Sequence, residues 1–118
     1  VFASAVGSLT SLPLVLARKP GKLPRETFYV VYELEYGTES LELHCDSPIC
    51  ESDRIVVIDD LVATGGTAVA AANLVTENFG VPGSNLLVLS VINIDECEGD
   101  ETILAAGFAH QTLLHSKL

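Results

Sequence analysis

The stretch Ile55-Val56-Val57-Ile58-Asp59-Asp60-Leu61-Val62-Ala63-Thr64-Gly65-Gly66-Thr67 decides the fold of this 118-residue chain. The stretch opens, directly after Arg54, with the apolar and β-branched run of residues 55–58, and residues 54–58 are typical of a strand buried on both faces of a parallel sheet. Asp59 and Asp60 stand at the end of that strand, and a loop then leads into a helix from Thr67. The stretch therefore predicts a strand, a polar turn and a helix.

The helix predicted from Thr67 has apolar residues at helical spacing and ends at Gly80, with Pro82 just beyond. Its apolar stripe consists of Ala68, Ala71, Ala72, Val75 and Phe79. Residues 86–94 predict a second buried strand. Strand, helix and strand in this order form a βαβ unit with a right-handed crossover, so we expect an α/β fold with a mostly parallel sheet flanked by helices.

Weaker patterns surround this unit. Upstream, we expect a buried helix over residues 2–9 and a short strand over 14–17. A hairpin should follow, with strands over residues 27–36 and 41–43 joined by a connection at 36–40. Downstream, an acidic run at 95–101 most simply forms an exposed loop.

Composition excludes several classes of protein. Hydrophobic residues make up 48% of the chain and its mean hydropathy is +0.41, which excludes a disordered segment. The length fits one domain over residues 1–118. Six basic against sixteen acidic residues give a net charge of −10, so we expect no nucleic-acid partner. Polar residues and Pro13 interrupt the uncharged start, so we expect no membrane span.

Four of the six basic residues fall within residues 18–25, which contain no acid. They are Arg18, Lys19, Lys22 and Arg25. A cationic loop on an acidic protein favours a small anionic ligand such as phosphate or pyrophosphate, and a solvated turn is the alternative.

The cysteines do not predict a disulfide framework. Cys45, Cys50 and Cys97 are odd in number and include no Cys-x-x-Cys pair, which favours a reducing compartment. His44 with Cys45 and Cys50 could form half of a zinc site, but no second half follows at a suitable spacing. We expect ordinary cysteines.

The turn after the first strand of the βαβ unit has what a phosphate monoester needs. Two glycines allow close approach, threonine hydroxyls donate hydrogen bonds, and the helix N-terminus favours an anion. Asp59 and Asp60 can accept hydrogen bonds from vicinal hydroxyls or from waters on a divalent cation. A phosphorylated sugar fits this spacing, whereas a P-loop or a dinucleotide fingerprint does not. The alternative is a tight turn with two solvated aspartates.

Residues 55–67 resemble the phosphoribosyl-pyrophosphate (PRPP) motif of type I phosphoribosyltransferases. Two upstream segments are similar to the other signatures of the adenine-specific members, namely Ala-Arg-Lys-Pro-Gly-Lys-Leu-Pro at 17–24 and Tyr-Glu-Leu-Glu-Tyr-Gly at 32–37. The resemblance extends from about residue 2 to residue 94. It implies the type I fold.

The resemblance also implies roles for individual residues. The pyrophosphate would be held by Arg18, Lys19 and Lys22. The ribose hydroxyls would be held by Asp59 and Asp60. The 5′-phosphate would be held by Ala63, Thr64, Gly65, Gly66 and Thr67. Glu35 would assist catalysis at the purine, and Tyr36 belongs to the same flexible loop.

The implied reaction converts adenine and PRPP to AMP and pyrophosphate in purine salvage. Mg²⁺ would be carried by PRPP, with no direct protein ligand and at most water-mediated contacts to Asp59 and Asp60. Displacement at the anomeric carbon passes through an oxocarbenium-like transition state, so catalysis needs fixed cations on the leaving pyrophosphate. The family also implies a homodimer.

The chain departs from the family pattern in three places. Arg25 stands where the family usually has glycine, and residues 95–101 are more acidic than expected. The family's N-terminal part, with the first core strand and the hood that covers the base, is missing. Two alternatives therefore stay open: an inactive or weakly active module that binds PRPP or AMP, or supports a partner subunit, and a type I enzyme for another base.

The chain ends in Ser116-Lys117-Leu118. At a free C-terminus this tripeptide is read by the peroxisomal import receptor. It predicts a peroxisome-type organelle such as the glycosome, with the cytoplasm as the alternative.

Overall fold

The computed structural model describes residues 9, 13–15, 17, 26–34 and 37–117. The strands among these residues form an antiparallel hairpin and a three-stranded parallel sheet. The elements in chain order are β1 (Thr27–Leu34), β2 (Gly37–His44), β3 (Ile55–Val62), α1 (Gly66–Phe79), β4 (Leu86–Ile94), α2 (Gly99–Ala105) and β5 (Ala109–Ser116). Short 3₁₀ turns at Gly83–Asn85 and Asp95–Cys97 flank β4. The predicted βαβ unit and its parallel sheet are confirmed.

The parallel sheet has the order β3-β4-β5, with β4 in the middle. Leu86, Val88 and Ser90 alternate along β4 and are each almost fully buried. They share the covered face of the sheet, since a strand's side chains alternate between its two faces. The prediction of a buried strand over residues 86–94 is confirmed.

β3 differs from its predicted burial. It lies at the edge of the sheet among the described strands, and Val56 on it is 52% exposed. The prediction that this run is buried on both faces is therefore wrong for the described part of the chain. The strand also continues through both aspartates to Val62, so the loop after it is shorter than predicted.

Helix α1 is bounded by two glycines in the left-handed backbone conformation, Gly65 with φ of 86° and Gly80 with φ of 71°. The predicted end at Gly80 is confirmed, because glycine adopts this conformation without the steric cost of a side chain. The buried residues of the helix are Ala68, Ala70, Ala72, Leu74 and Val75. The predicted stripe is thus correct in part, since Ala71 and Phe79 are only partly buried.

The hairpin is more regular than its sequence predicts. β1 and β2 pair in register from Thr27 opposite His44 to Leu34 opposite Gly37. Most of the predicted connection at 36–40 is therefore strand. The hairpin packs against the end of α1, where the rings of Phe28 and Phe79 meet edge to face at 5.6 Å.

The acidic run at 95–101 is not a simple exposed loop. It forms a 3₁₀ turn and then the first residues of α2, in which Ile103 is fully buried. Asp100 and Glu101 lie in the first turn of α2, where carboxylates complement the helix dipole. The following strand, β5, was not predicted.

The predictions for the N-terminal segment are largely untested, because most of residues 1–25 lie outside the described part. Leu9 is helical but 87% exposed, in contrast to the buried helix expected there. Residues 13–15 and 17 are described and form no strand. No described helix has the length and apolar character that crossing a membrane requires.

Candidate functional site

The loop between β3 and α1 presents unpaired backbone N–H groups at a helix N-terminus. Gly65 caps α1 without a side-chain hydrogen bond to the first turn, and that turn contains no acidic residue. The first turn of any helix leaves N–H groups without an intrahelical acceptor. Thr64 Oγ1 accepts a long hydrogen bond of 3.5 Å from the N–H of Gly66. The remaining donors and the positive end of the helix dipole favour an anion here.

Two glycines let this loop pack tightly against α2. A Cβ on Gly99 would overlap the carbonyl oxygen of Ala63 and the side chain of Val62. A Cβ on Gly65 would lie 2.8 Å from the carbonyl oxygen of Gly99, besides requiring a left-handed conformation. The start of α2 is therefore the wall behind the loop.

Asp59 and Asp60 differ in environment although they are neighbours. Asp59 is partly buried, and its Oδ1 accepts a 2.8 Å hydrogen bond from the N–H of Asp60. Burial raises the pKa of Asp59 to about 6, and the adjacent Asp60 carboxyl adds to the effect. Asp60 is exposed, and its hydrogen bond with the Asp59 carboxyl lowers its pKa. The pKa values of two close carboxyl groups separate in this way because the negative charge on one of them makes the other harder to ionise.

A cavity of about 320 Å³ brings most of the predicted phosphate and ribose residues together. Its lining includes Asp59, Ala63, Thr64, Gly65, Gly66 and Thr67. Asp60 is not among the lining residues, so this structure does not place its side chain for the predicted contact with the ribose. The lining also contains five residues that were not among the predicted site residues: Leu34, Leu61, Val62, Ala68 and Cys97.

The hairpin reaches this cavity through the end of β1. Leu34 lines the cavity, and the hydroxyl of Thr67 donates a 3.4 Å hydrogen bond to the hydroxyl of Tyr32. The hairpin is thus fixed to the N-terminal turn of α1. No sequence pattern identifies this contact, because it joins residues 35 positions apart.

Five predicted site residues lie outside the described residues. They are Arg18, Lys19, Lys22, Glu35 and Tyr36. Their predicted roles at the pyrophosphate and at the purine stay predictions.

The described residues do not form a metal cage. Among them, no group of three or more histidine, cysteine or acidic side chains could hold a metal ion. Cys45, Cys50 and Cys97 are free thiols. The carboxylates of Asp59 and Asp60 nevertheless fit Mg²⁺, which keeps several waters and commonly binds through one or two carboxylates and a substrate phosphate.

Comparison with known proteins gives close sequence relatives. No protein-family model matches the chain. The adenine phosphoribosyltransferase of Rubrobacter xylanophilus is 50% identical over 106 residues, which are 89% of this chain and 55% of that protein. The adenine phosphoribosyltransferase of Pasteurella multocida is 42% identical over 114 residues, 97% of this chain and 61% of that protein. The chain spans about three fifths of the length of these curated relatives.

Solved structures give the same result. The adenine phosphoribosyltransferase of Thermoanaerobacter pseudethanolicus superposes with a TM-score of 0.85 at 37% identity, covering 98% of this chain and 63% of that one. The enzyme of Giardia lamblia, solved with 9-deazaadenine, gives a TM-score of 0.86 at 25% identity, covering 96% and 62%. By sequence and by fold, the chain is a homologue of the adenine phosphoribosyltransferases and shares the type I phosphoribosyltransferase fold.

Proposed function

We propose that the protein transfers the phosphoribosyl group of PRPP to adenine, giving AMP and pyrophosphate in purine salvage. The observation that carries this proposal is the cavity in which Asp59 faces the loop of residues 63–67 at the N-terminus of α1. A carboxylate that suits the ribose hydroxyls and a loop that suits the phosphate therefore line one cavity. Two findings support adenine as the acceptor. The relatives are adenine phosphoribosyltransferases, and the Giardia enzyme was solved with 9-deazaadenine.

The 5′-phosphate would bind at the N-terminus of α1. The backbone N–H of Thr67 and the Thr64 hydroxyl would donate to its oxygens. The Gly66 N–H and the Thr67 hydroxyl would join them by exchanging their long hydrogen bonds to Thr64 and Tyr32 for bonds to the phosphate. The ribose would then extend toward Asp59, whose carboxylate accepts hydrogen bonds from the ribose hydroxyls. Because the pKa of Asp59 is about 6, its carboxyl is ionised in the free protein above that pH.

The leaving pyrophosphate needs positive charges that are already in place, so that the protein does not have to reorganise during the reaction. Arg18, Lys19 and Lys22 are the residues we propose for that role. Mg²⁺ carried by PRPP would neutralise the pyrophosphate further when bound, and Asp59 and Asp60 are the residues that would hold it through water. Glu35 would act as a general acid or base on the purine.

Assembly and location are proposed on narrower grounds. The homodimer rests on the family resemblance, and sedimentation of the full-length protein tests it. The peroxisome-type organelle rests on Ser116-Lys117-Leu118, and the cytoplasm is the alternative. If that address is used, deleting the tripeptide leaves the protein in the cytosol, and unchanged import would overturn the proposal.

The activity is tested by mixing the full-length protein with Mg²⁺, PRPP and adenine, and measuring AMP. We expect turnover with adenine and at least about a hundredfold loss in Lys22→Ala, as for removal of one transition-state donor. Arg54→Ala is the matched control, because Arg54 is an exposed basic residue at the opposite end of β3 from the cavity.

Each other outcome selects an alternative. PRPP binding without AMP formation would favour a binding module or partner subunit. Turnover of hypoxanthine or guanine in place of adenine would favour a type I enzyme for another base. Failure to bind PRPP at all would overturn the proposal.

A further inference from the structure

A chain of three hydrogen-bonded polar side chains, two of them buried, lies beside the proposed site and has no part in it. The His110 side chain is only 1% exposed, and its Nδ1 lies 2.7 Å from Asp100 Oδ1. Its Nε2 lies 2.9 Å from Ser90 Oγ. All four atoms are satisfied when Nδ1–H donates to the carboxylate and the Ser90 hydroxyl donates to Nε2. The chain thus joins β4, β5 and α2.

The order serine, histidine and aspartate is that of a hydrolase, but the burial excludes that chemistry. Ser90 is 1% exposed, in the middle of the central strand. It does not line the cavity of about 380 Å³ to which Asp100 and His110 contribute. A nucleophile must reach the reacting carbon of its substrate, and this hydroxyl cannot.

The position of Asp100 gives the chain another consequence. Asp100 follows Gly99, whose backbone packs on Ala63 and Gly65 of the proposed phosphate loop, which comprises residues 63–67. Thr102, in the next part of α2, also lies against Gly65. The hydrogen bond from His110 to Asp100 therefore fixes the start of the helix that forms the wall behind the loop.

The same bond also directs a negative charge away from the loop. Asp100 is an acidic residue close to the proposed phosphate site, and it lines the cavity at β5 instead of the phosphate cavity. A carboxylate paired with a histidine donor repels a nearby anion less than a free one.

We propose that Ser90, His110 and Asp100 are positioning residues, which hold the start of α2 against residues 63–67 and so keep the phosphate loop ordered. They act through Gly99 and touch no substrate. The link to phosphate affinity rests on the proposed function, whereas the link to loop order does not.

Loop order is measured without ligand by amide hydrogen exchange in the full-length protein. In Asp100→Ala, we expect exchange at residues 63–67 to rise about tenfold, because a charge-assisted hydrogen bond that opposes local opening is lost. The Asp100 side chain is 44% exposed, so truncating it leaves no cavity in the core. Glu101→Ala is the matched control, since it removes the neighbouring exposed acid from the same helical turn.

A second set of variants tests the histidine. His110→Ala should raise the same exchange rates, and His110→Asn should restore them in part, because its amide can still donate to Asp100. Val81→Ala, a buried truncation just beyond the C-terminal end of α1, controls for general loss of stability. Unchanged exchange in Asp100→Ala, or an equal rise in Glu101→Ala, would overturn the proposal.

Affinity for ribose 5-phosphate, measured by calorimetry, separates this proposal from the proposed function. We expect Asp100→Ala to weaken binding about tenfold while the KM for adenine stays unchanged, since only the phosphate loop is affected. If the wild-type protein does not bind the sugar phosphate, the proposed function fails. The exchange result then still decides whether the three residues hold the loop.

Discussion

At the scale of single residues, the surroundings of Asp59 raise the pKa of its carboxyl well above the usual value. It is partly buried beside a second carboxyl, and its pKa is raised to about 6 from a usual value of 3.8. The sequence predicts the pair of aspartates and their place near a strand end. It does not predict that only one of them lines the cavity, because strand β3 continues past both and sends successive side chains to opposite faces.

The raised pKa of Asp59 means that its ionisation costs the folded protein free energy. This cost is absent below pH 3.8, where the group is protonated in both states, and it is complete above about pH 6. Asp59→Asn removes the cost while keeping an oxygen that can accept from the N–H of Asp60. We therefore expect the free energy of unfolding to rise at pH 7.5 by on the order of 1 kcal/mol, a value reduced for partial solvent exposure.

Urea unfolding at several pH values measures this effect. The gain in stability should shrink as the pH falls through 6 toward 4. Binding of ribose 5-phosphate should weaken in the same variant, since a neutral amide accepts more weakly from the ribose hydroxyls. A loss of stability at pH 7.5, or a gain that does not change with pH, would show that Asp59 is not destabilised by its surroundings.

At the scale of elements, the site depends on how closely α2 approaches the loop before α1. The sequence predicts α1 and β4 well, because their apolar spacing and the stop at Gly80 are local signals. It does not predict α2, since residues 95–101 are mostly acidic and read as a solvated loop. Burial of Ile103, a tertiary contact, makes that segment helical. β5 is also missed. Most of its residues are exposed, so its sequence shows no clear apolar face.

Gly99→Ala tests the close contact between α2 and the loop. The added Cβ would overlap backbone at Ala63, which cannot move without displacing the loop. We expect a loss of about 1–3 kcal/mol in the free energy of unfolding, as for other overpacked sites, and a marked loss of ribose 5-phosphate binding.

Gly107→Ala is the control for this substitution. Gly107 has φ of 95° and open space around its Cβ position, so alanine there adds backbone strain but no clash. We expect a loss of about 1 kcal/mol with binding retained. Equal binding by the Gly99→Ala variant and the wild-type protein would show that the contact does not shape the loop.

At the scale of the whole molecule, an acidic chain must create a local site for an anionic ligand. The net charge of −10 repels phosphates at long range. In the described part of the proposed site, this repulsion is offset by backbone N–H groups and by a helix N-terminus that has no acid in its first turn. The fold class and the phosphate loop follow from sequence because glycine, threonine and strand signals are contiguous there. The cavity does not, because Leu34, Cys97 and Gly99 reach the loop from distant parts of the chain.

The central claim is that the loop of residues 63–67 binds the phosphate of a phosphorylated ribose. Nitrogen–proton correlation spectra of the full-length protein, recorded while ribose 5-phosphate is added, test it most directly. We expect the largest saturable changes at the amides of Gly65, Gly66 and Thr67. Largest changes at the cavity near His110 and Gln111, or saturable binding that leaves the three loop amides unmoved, would contradict it.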